Sequence, residues 1–339
     1  MKAIYLTKYG AAEKAFTLKE VVSPTVNDDE VLIKNNCFGL NFADVVARRG
    51  LYPDAPKNPA ILGYDVAGIV VQVGKNVTHV QQGDRVVALT RFGGYAEYSK
   101  TMKEGVALLP ENTSFEEGTA LATQACTAYY AAVQCINLNE GDQVLIQAAA
   151  GGVGTILTQI AKNKGCTVFG TASTKKQQTL RDNNVDFPID YTTENFAEVI
   201  KKTLDGNKLD VVFDSIGGKA FKKAWKLLQP GGFMVNFGAA AQISGSNKLK
   251  SLGVVAGFGL FTPLQLLMSS KSMVGVNMLR IADHKPHLLK QAFEGVMSYV
   301  ENGVIKPKIS KVFDPEEIAN AHNYLESRQS VGKIVIKWC

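Results

Sequence analysis

The chain has 339 residues, 46% of them hydrophobic and 20% charged, with a formal net charge of +6 at pH 7. This length exceeds that of a usual single core and predicts two domains, while the composition excludes disordered, collagenous and coiled-coil classes. Lysines and arginines are scattered apart from short pairs such as Lys175-Lys176, Lys201-Lys202 and Lys222-Lys223, so no nucleic-acid partner is expected. The five cysteines (Cys37, Cys126, Cys135, Cys166 and Cys339) are odd in number and widely spaced. They fit neither a disulfide framework nor a structural zinc site, and they predict a reducing, cytoplasmic setting.

Taken in chain order, residues 1–5 (MKAIY) read as a first strand without the apolar core of a secretory signal. Residues 30–35 (EVLIKN) and 67–73 (AGIVVQV) are rich in β-branched side chains and also read as strands. The turn Gly83-Asp84-Arg85 feeds a strand at 86–89, and Gly93-Gly94 introduces another at 95–98. Such spacing predicts a small, curled, mostly antiparallel barrel. Residues 110–114 read as a linker, followed by helical sequence through about residue 136.

From residue 141 the rhythm changes to strand-like runs at 143–147, 167–171, 185–189, 209–214, 232–237 and 273–276, separated by segments long enough for helices. Parallel crossovers need such segments, and six runs match a doubly wound sheet. After Gly303 short strands return with one helix at 315–327, ending in a strand at 333–338. The expected organisation is a split barrel domain, 1–120 with 303–339, around a dinucleotide-binding domain, 121–302. The most membrane-like stretch, residues 253–268, contains glycines and Pro263 and falls short of the roughly 20 residues that span a bilayer. It is expected to form a buried or lid-forming helix, without stable membrane insertion.

Residues 144–154 (VLIQAAAGGVG) are an apolar strand, a turn of small residues and the start of a helix. A pyrophosphate must approach backbone amides closely at such a turn, and the helix N-terminus offers unpaired N–H groups. Against the G-x-G-x-x-G pattern Ala149 replaces the first glycine, while Gly151 and Gly154 hold the other two. Ala150, Gly151, Gly152, Val153 and Gly154 are therefore the candidate phosphate-binding residues. An NAD site would place an acid about 20 residues further on. Here the sequence is Gly170-Thr171-Ala172-Ser173-Thr174-Lys175-Lys176, with no acid. A carboxylate there would repel a 2′-phosphate, whereas Ser173 offers a hydrogen bond and Lys176 a charge, so the expected cofactor is NADPH. Tyr191, after the next strand, is a candidate to close over that phosphate.

These residues, together with Gly39–Asp44 (GLNFAD), Gly50-Leu51-Tyr52-Pro53, Gly63-Tyr64-Asp65, Asp214–Gly218 (DSIGG), Asn236-Phe237-Gly238 and Val331-Gly332-Lys333-Ile334, give a chain that resembles the medium-chain dehydrogenase/reductase superfamily. The resemblance covers nearly the whole length and falls in the zinc-independent quinone oxidoreductase branch, nearest its vesicle-amine-transport type. It implies a GroES-like β-barrel catalytic domain plus a Rossmann domain with a six-stranded parallel sheet. Zinc alcohol dehydrogenases carry a ligand Cys where this chain has Asn41 and a ligand His where it has Tyr64. His284 and His287 are expected only as a surface pair, and no metal is expected.

Without a Lewis acid, chemistry shifts from alcohol oxidation towards reduction of a conjugated acceptor. The resemblance implies NADPH-dependent reduction of quinones or α,β-unsaturated carbonyls, with Asn41, Tyr52 and Thr127 around the nicotinamide. Phe237, Gly238 and Ala239 would line its other side, and Lys333 would belong to the cofactor site. Thr127 has a helix cap as its alternative role. The competing activities are a 2-enoyl thioester reductase with Tyr52 as proton donor, and a non-catalytic NADPH binder that uses residues 254–268 on a membrane or partner. The resemblance also implies a homodimer paired along the last strand of the sheet.

Overall fold

The structure is a computed structural model and describes residues 1–240 and 257–338. The chain divides into two compact units, Met1–Cys126 with Met278–Cys339, and Thr127–Asn277.

In the first unit, a seven-stranded sheet is built on the long strand Glu30–Leu40, which pairs antiparallel with Asp65–Val73, Tyr98–Met102 and Lys333–Lys337. Arg85–Leu89 and Val106–Leu108 extend it on one side and Ile309–Phe313 on the other. The register of Glu30–Leu40 against Asp65–Val73 shifts twice, at Leu32/Ile33 and Asn35/Cys37. Each shift adds local bend and twist, which curls the sheet into a barrel. Gly68 sits at one such point, where a Cβ would lie 2.0 Å from the Lys34 carbonyl oxygen. Val31, Ile33, Phe38, Val66, Val70, Val86, Ile334 and Ile336 fill the barrel. Lys2–Leu6, Phe16–Glu20 and Ala60–Ile61 form a separate three-stranded sheet.

The strand expected at 95–98 begins instead at Tyr98. Tyr95 is buried, its N–H donating to the Leu62 carbonyl and its own carbonyl accepting from Ile4. These partners, remote in sequence, pull residues 95–97 across the first strand. The helical sequence after the linker starts at Phe115, where Ser114 and Glu117 form a capping box. It continues as π-helix at Leu121–Ala125 and Tyr130–Cys135, with α-helix at Cys126–Tyr129 between them. The helices Met278–His284 and Pro286–Glu301 fall in the first unit, and the second buries Leu289, Ala292, Phe293 and Val296.

The second unit is a Rossmann-type domain whose six strands all pair in parallel. Their order is Phe187–Asp190, Thr167–Ala172, Gln143–Ile146, Leu209–Asp214, Leu228–Asn236 and Ser272–Gly275. Numbered along the chain this is 3-2-1-4-5-6, the doubly wound arrangement, with its switch point between Gln143–Ile146 and Leu209–Asp214. Burial on both faces explains the apolar content of Val144, Leu145, Ile146, Val212 and Phe213.

No helix among the described residues is long and apolar enough to cross a membrane. Residues 253–256 of the apolar stretch lie outside the described residues. The helix that follows, Pro263–Ser269, has no buried residue, and Leu264, Leu267 and Met268 are exposed. The expectation of a buried helix is corrected. Pro263 at its start and a left-handed Ser270 at its end hold it to two turns.

Candidate functional site

The glycine turn lies at the switch point of the second unit's sheet. Ala148 takes a left-handed conformation (φ 54°), and the Gly151 amide donates back to its carbonyl at 2.9 Å. The turn is anchored laterally where the Ala149 amide donates to the Thr171 carbonyl. At Gly154 a Cβ would stand 2.4 Å from the Ala148 oxygen, so the helix Gly152–Asn163 packs onto the turn only without a side chain there. No side chain caps that helix at Gly151, which leaves its first amides for an anion. Ala150 is buried beneath the turn, and Gly152 and Val153 are half-buried at the helix start.

Ser173 follows the strand Thr167–Ala172 and opens a short 3₁₀ turn, Thr174–Lys176. It is half-buried, as is Lys176, whereas Lys175 is exposed. Tyr191 is 50% exposed. The neighbouring strand ends in an acid, Asp190, directly opposite Ala172. Hydroxyls of Thr174 and Thr192 hold the Asp190 carboxyl below the usual range. A carboxylate therefore stands one strand away from where an NAD site would carry it, already taken up by threonines.

A residue whose role the sequence did not reveal is Asp214, at the end of the fourth strand. Its carboxylate accepts from the amides of Ile216 and Gly217 and from Asn236 Nδ2 at 2.9 Å. Asn236 also donates to the Gly238 carbonyl, and the Phe237 amide donates to the Asp214 carbonyl. Asp214 thus ties the loop carrying Phe237, Gly238 and Ala239 to the sheet. Burial pushes its carboxyl up to about 6, against the opposing amides.

The first unit holds a buried polar cluster. Lys333, expected in the cofactor site, is 0% exposed, and its ammonium donates to Asp65 Oδ2 and, at 3.0 Å, to Asn41 Oδ1. Asn41 Nδ2 donates to Asp65 Oδ2 at 2.6 Å. The other Asp65 oxygen accepts from the backbone N–H of Thr123 at 2.8 Å and from its hydroxyl. Asn41 opens the helix Phe42–Arg48 in a capping box with Asp44, whose carboxylate accepts the Asn41 amide at 2.7 Å. Complete burial pushes the Asp44 carboxyl up to about 7, with the Asp65 charge adding to the effect. Asp65, Asp44 and Thr123 were legible only as motif or helix residues. A carboxylate inside an apolar strand such as Asp65–Val73 is the signal that points to such a cluster.

Tyr52 is half-buried against the barrel core, and burial with the nearby Asp54 charge raises its phenol to about 12. Tyr64 is buried against Phe92, with ring centroids 5.1 Å apart, and its hydroxyl has no partner among the described residues. Thr127 is buried in the second residue of Cys126–Tyr129, preceded directly by π-helix, so a capping role does not apply. His284 and His287 are both exposed and belong to successive helices. Among the described residues no group of three or more His, Cys, Asp or Glu is placed to hold a metal ion.

Two family models match the chain: the alcohol dehydrogenase GroES-like domain over residues 27–140 and the zinc-binding dehydrogenase over residues 184–336. The synaptic vesicle membrane protein VAT-1 homolog of Danio rerio is 34% identical over 341 residues, covering 99% of this chain and 69% of that protein. The quinone oxidoreductase of Escherichia coli complexed with NADPH superposes with a TM-score of 0.86 at 29% identity, covering 100% of both chains. CurK enoyl reductase superposes with a TM-score of 0.86 at 28% identity, covering 99% of this chain and 98% of that one. The chain belongs to the medium-chain dehydrogenase/reductase superfamily of oxidoreductases and, within it, to the family of the VAT-1 homologs.

The zinc in one family model's description does not fit the donors found here. Asn41 and Asp65 offer three oxygens, of which the Lys333 ammonium occupies Asn41 Oδ1 and Asp65 Oδ2 while Thr123 occupies Asp65 Oδ1. A dication beside that ammonium would meet direct repulsion.

The Asp44 carboxyl carries a pH signature. Its proton affinity is higher in the folded than in the unfolded chain, so its contribution to stability is present below about pH 4 and is lost as pH rises towards about 7. Urea midpoints of the native protein and Asp44→Asn at pH 5 and pH 8 test this. The variant gains on the native protein at pH 8; an equal gap at both pH values refutes the assignment.

Proposed function

We propose that this chain is an NADPH-dependent oxidoreductase that reduces quinones or related α,β-unsaturated carbonyls by hydride transfer. The observation that carries the reading is the ammonium-closed Asn41–Asp65 cluster. Simple alcohol oxidation in this superfamily relies on a Lewis acid to stabilise an alkoxide; an amide donor suits an acceptor that is already electrophilic. The likeness to a quinone oxidoreductase complexed with NADPH supports the same reading.

The uncapped start of Gly152–Asn163, with Ala150, Gly151, Gly152, Val153 and Gly154, receives the pyrophosphate. Ser173 and Lys176 hold the 2′-phosphate and Tyr191 covers it. Thr127 and the loop Phe237, Gly238 and Ala239 bind the nicotinamide end. Bound NADPH supplies the hydride. Asn41 donates a hydrogen bond to the acceptor oxygen, and Tyr52 orients the acceptor. The buried thiols of Cys37, Cys126 and Cys166 are unpaired, which fits the cytoplasm.

A second reading, reduction of a 2-enoyl thioester, is supported by Tyr52, a phenol half-buried against the barrel core. The likeness to CurK enoyl reductase supports it too. Pairing with a second copy is proposed along Ser272–Gly275, the edge of the six-stranded sheet, where Met273 is exposed.

Three measurements check these assignments. Ser173→Asp with Lys176→Ala lowers kcat/KM with NADPH by about tenfold or more while sparing NADH, since a charge-assisted phosphate contact is lost; equal loss with both cofactors rules out the phosphate role. Tyr52→Phe leaves turnover of 1,2-naphthoquinone largely intact. A native enzyme that prefers a crotonyl thioester, and loses that activity by about 100-fold in Tyr52→Phe, establishes the second reading instead. Sedimentation equilibrium finds a dimer that Met273→Asp converts to monomer, and an unaltered dimer moves the interface elsewhere.

A further inference from the structure

Asn41 sits between two partners that admit only one orientation of its amide. Lys333 has donors and no acceptor; the Asp65 carboxylate has acceptors and no donor. The amide oxygen must therefore face Lys333 and the amide nitrogen must face Asp65, as observed at 3.0 Å and 2.6 Å. Rotating the amide by half a turn would set oxygen against carboxylate and NH₂ against ammonium. Asp65 cannot yield, because its second oxygen is held by the Thr123 amide and hydroxyl. Lys333 cannot yield either. Its stem passes over Gly39, where a Cβ would stand 2.1 Å from Lys333 Cε, and it has no solvent contact.

A buried ion pair is a poor device for stability alone, since its desolvation cost rivals its attraction. Of the three side chains, Lys333 and Asp65 are 0% exposed and Asn41 is 8% exposed. Only Asn41 retains surface, and its amide nitrogen has a second hydrogen beyond the one given to Asp65.

We propose that Lys333 is a positioning residue: with Asp65 it locks the Asn41 amide so that this second Nδ2 hydrogen is presented to the acceptor's carbonyl oxygen. The proposal rests on the reduction of a conjugated carbonyl set out above. As hydride adds to the acceptor carbon, the displaced electron pair moves to the carbonyl oxygen, and a donor already fixed there stabilises the charge without reorganising. Lys333 itself touches neither acceptor nor cofactor.

The test uses the full chain as native protein, Asn41→Ser, the charge-free pair Lys333→Met with Asp65→Leu, and the combination of all three substitutions. Asn41→Ser keeps a helix-capping hydroxyl, and the charge-free pair avoids stranding a buried charge, so both are expected to fold. In ¹⁵N-labelled protein without cofactor, the Asn41 amide gives two well-separated proton signals, of which the one bonded to Asp65 is exchange-protected. They are identified by their loss in Asn41→Ser, and the protection disappears in the charge-free pair. With 1,2-naphthoquinone and NADPH the charge-free pair loses about 100-fold in kcat with little change in KM. The combination is no worse than Asn41→Ser, because both routes remove one interaction. An amide that stays protected in the charge-free pair, retained kcat, or losses that multiply in the combination each overturn the positioning role. A native protein that reduces neither quinones nor enones, yet shows the locked amide, removes the functional reading and the catalytic role together while leaving the amide's orientation intact.

Discussion

Two opposite charges without solvent contact, the Lys333 ammonium and the Asp65 carboxylate, meet where four stretches of the first unit converge. Lys333 comes from the closing strand and Asp65 from the start of Asp65–Val73. Asn41 follows directly on Glu30–Leu40, and Thr123 belongs to the π-helical turn. Charges taken out of water must be fully paired, and removing one partner of such a pair typically costs about 3–5 kcal/mol. The geometry around them is correspondingly exact in its demands: a glycine at 39 for the lysine stem, and a threonine whose N–H and hydroxyl both donate to Asp65. Register follows from this. With Ile334 opposite Leu40 and Gly39 opposite Asp65, the two strands that carry the charges are held in register at that end of the long one.

The second unit rests on a different constraint, the close approach of backbone to backbone. Its sheet is parallel and covered on both faces, so its strands carry little beyond apolar side chains, and polar chemistry is confined to the strand ends. Ala148 in a left-handed conformation, Gly151 turned back onto it and Gly154 without a side chain leave helix amides exposed at one end of the first strand. Asp214 holds the facing loop through amide donors alone.

The superfamily's zinc chemistry and this chain's ammonium solve one electrostatic problem with different means. A metal supplies a concentrated positive charge that the substrate oxygen can reach directly. Here the positive charge is paired with Asp65 and, in the positioning role proposed above, reaches outward only as the orientation of a neutral amide. That difference follows from residue types at a few positions, Asn41 and Tyr64 among them.

Much of this could be read from residue order alone. Strand and helix alternation after residue 141 specified the doubly wound sheet, because buried parallel strands must be apolar and their crossovers long. Small residues at 148–154 specified the turn, and the absence of an acid at Ser173 is what the proposed preference for NADPH starts from. Local physics decided each of these. The strand at Tyr98 rather than Tyr95 and the burial of Lys333 depended on partners far away in the chain. A lysine in Val331-Gly332-Lys333 reads as a surface or ligand-binding cation until the fold brings Asp65 and Asn41 against it and closes out water. Sequence by itself determined the architecture and the cofactor turn; only tertiary structure decided how Lys333 is held, because the free energy of a buried charge depends on the partners that the fold supplies.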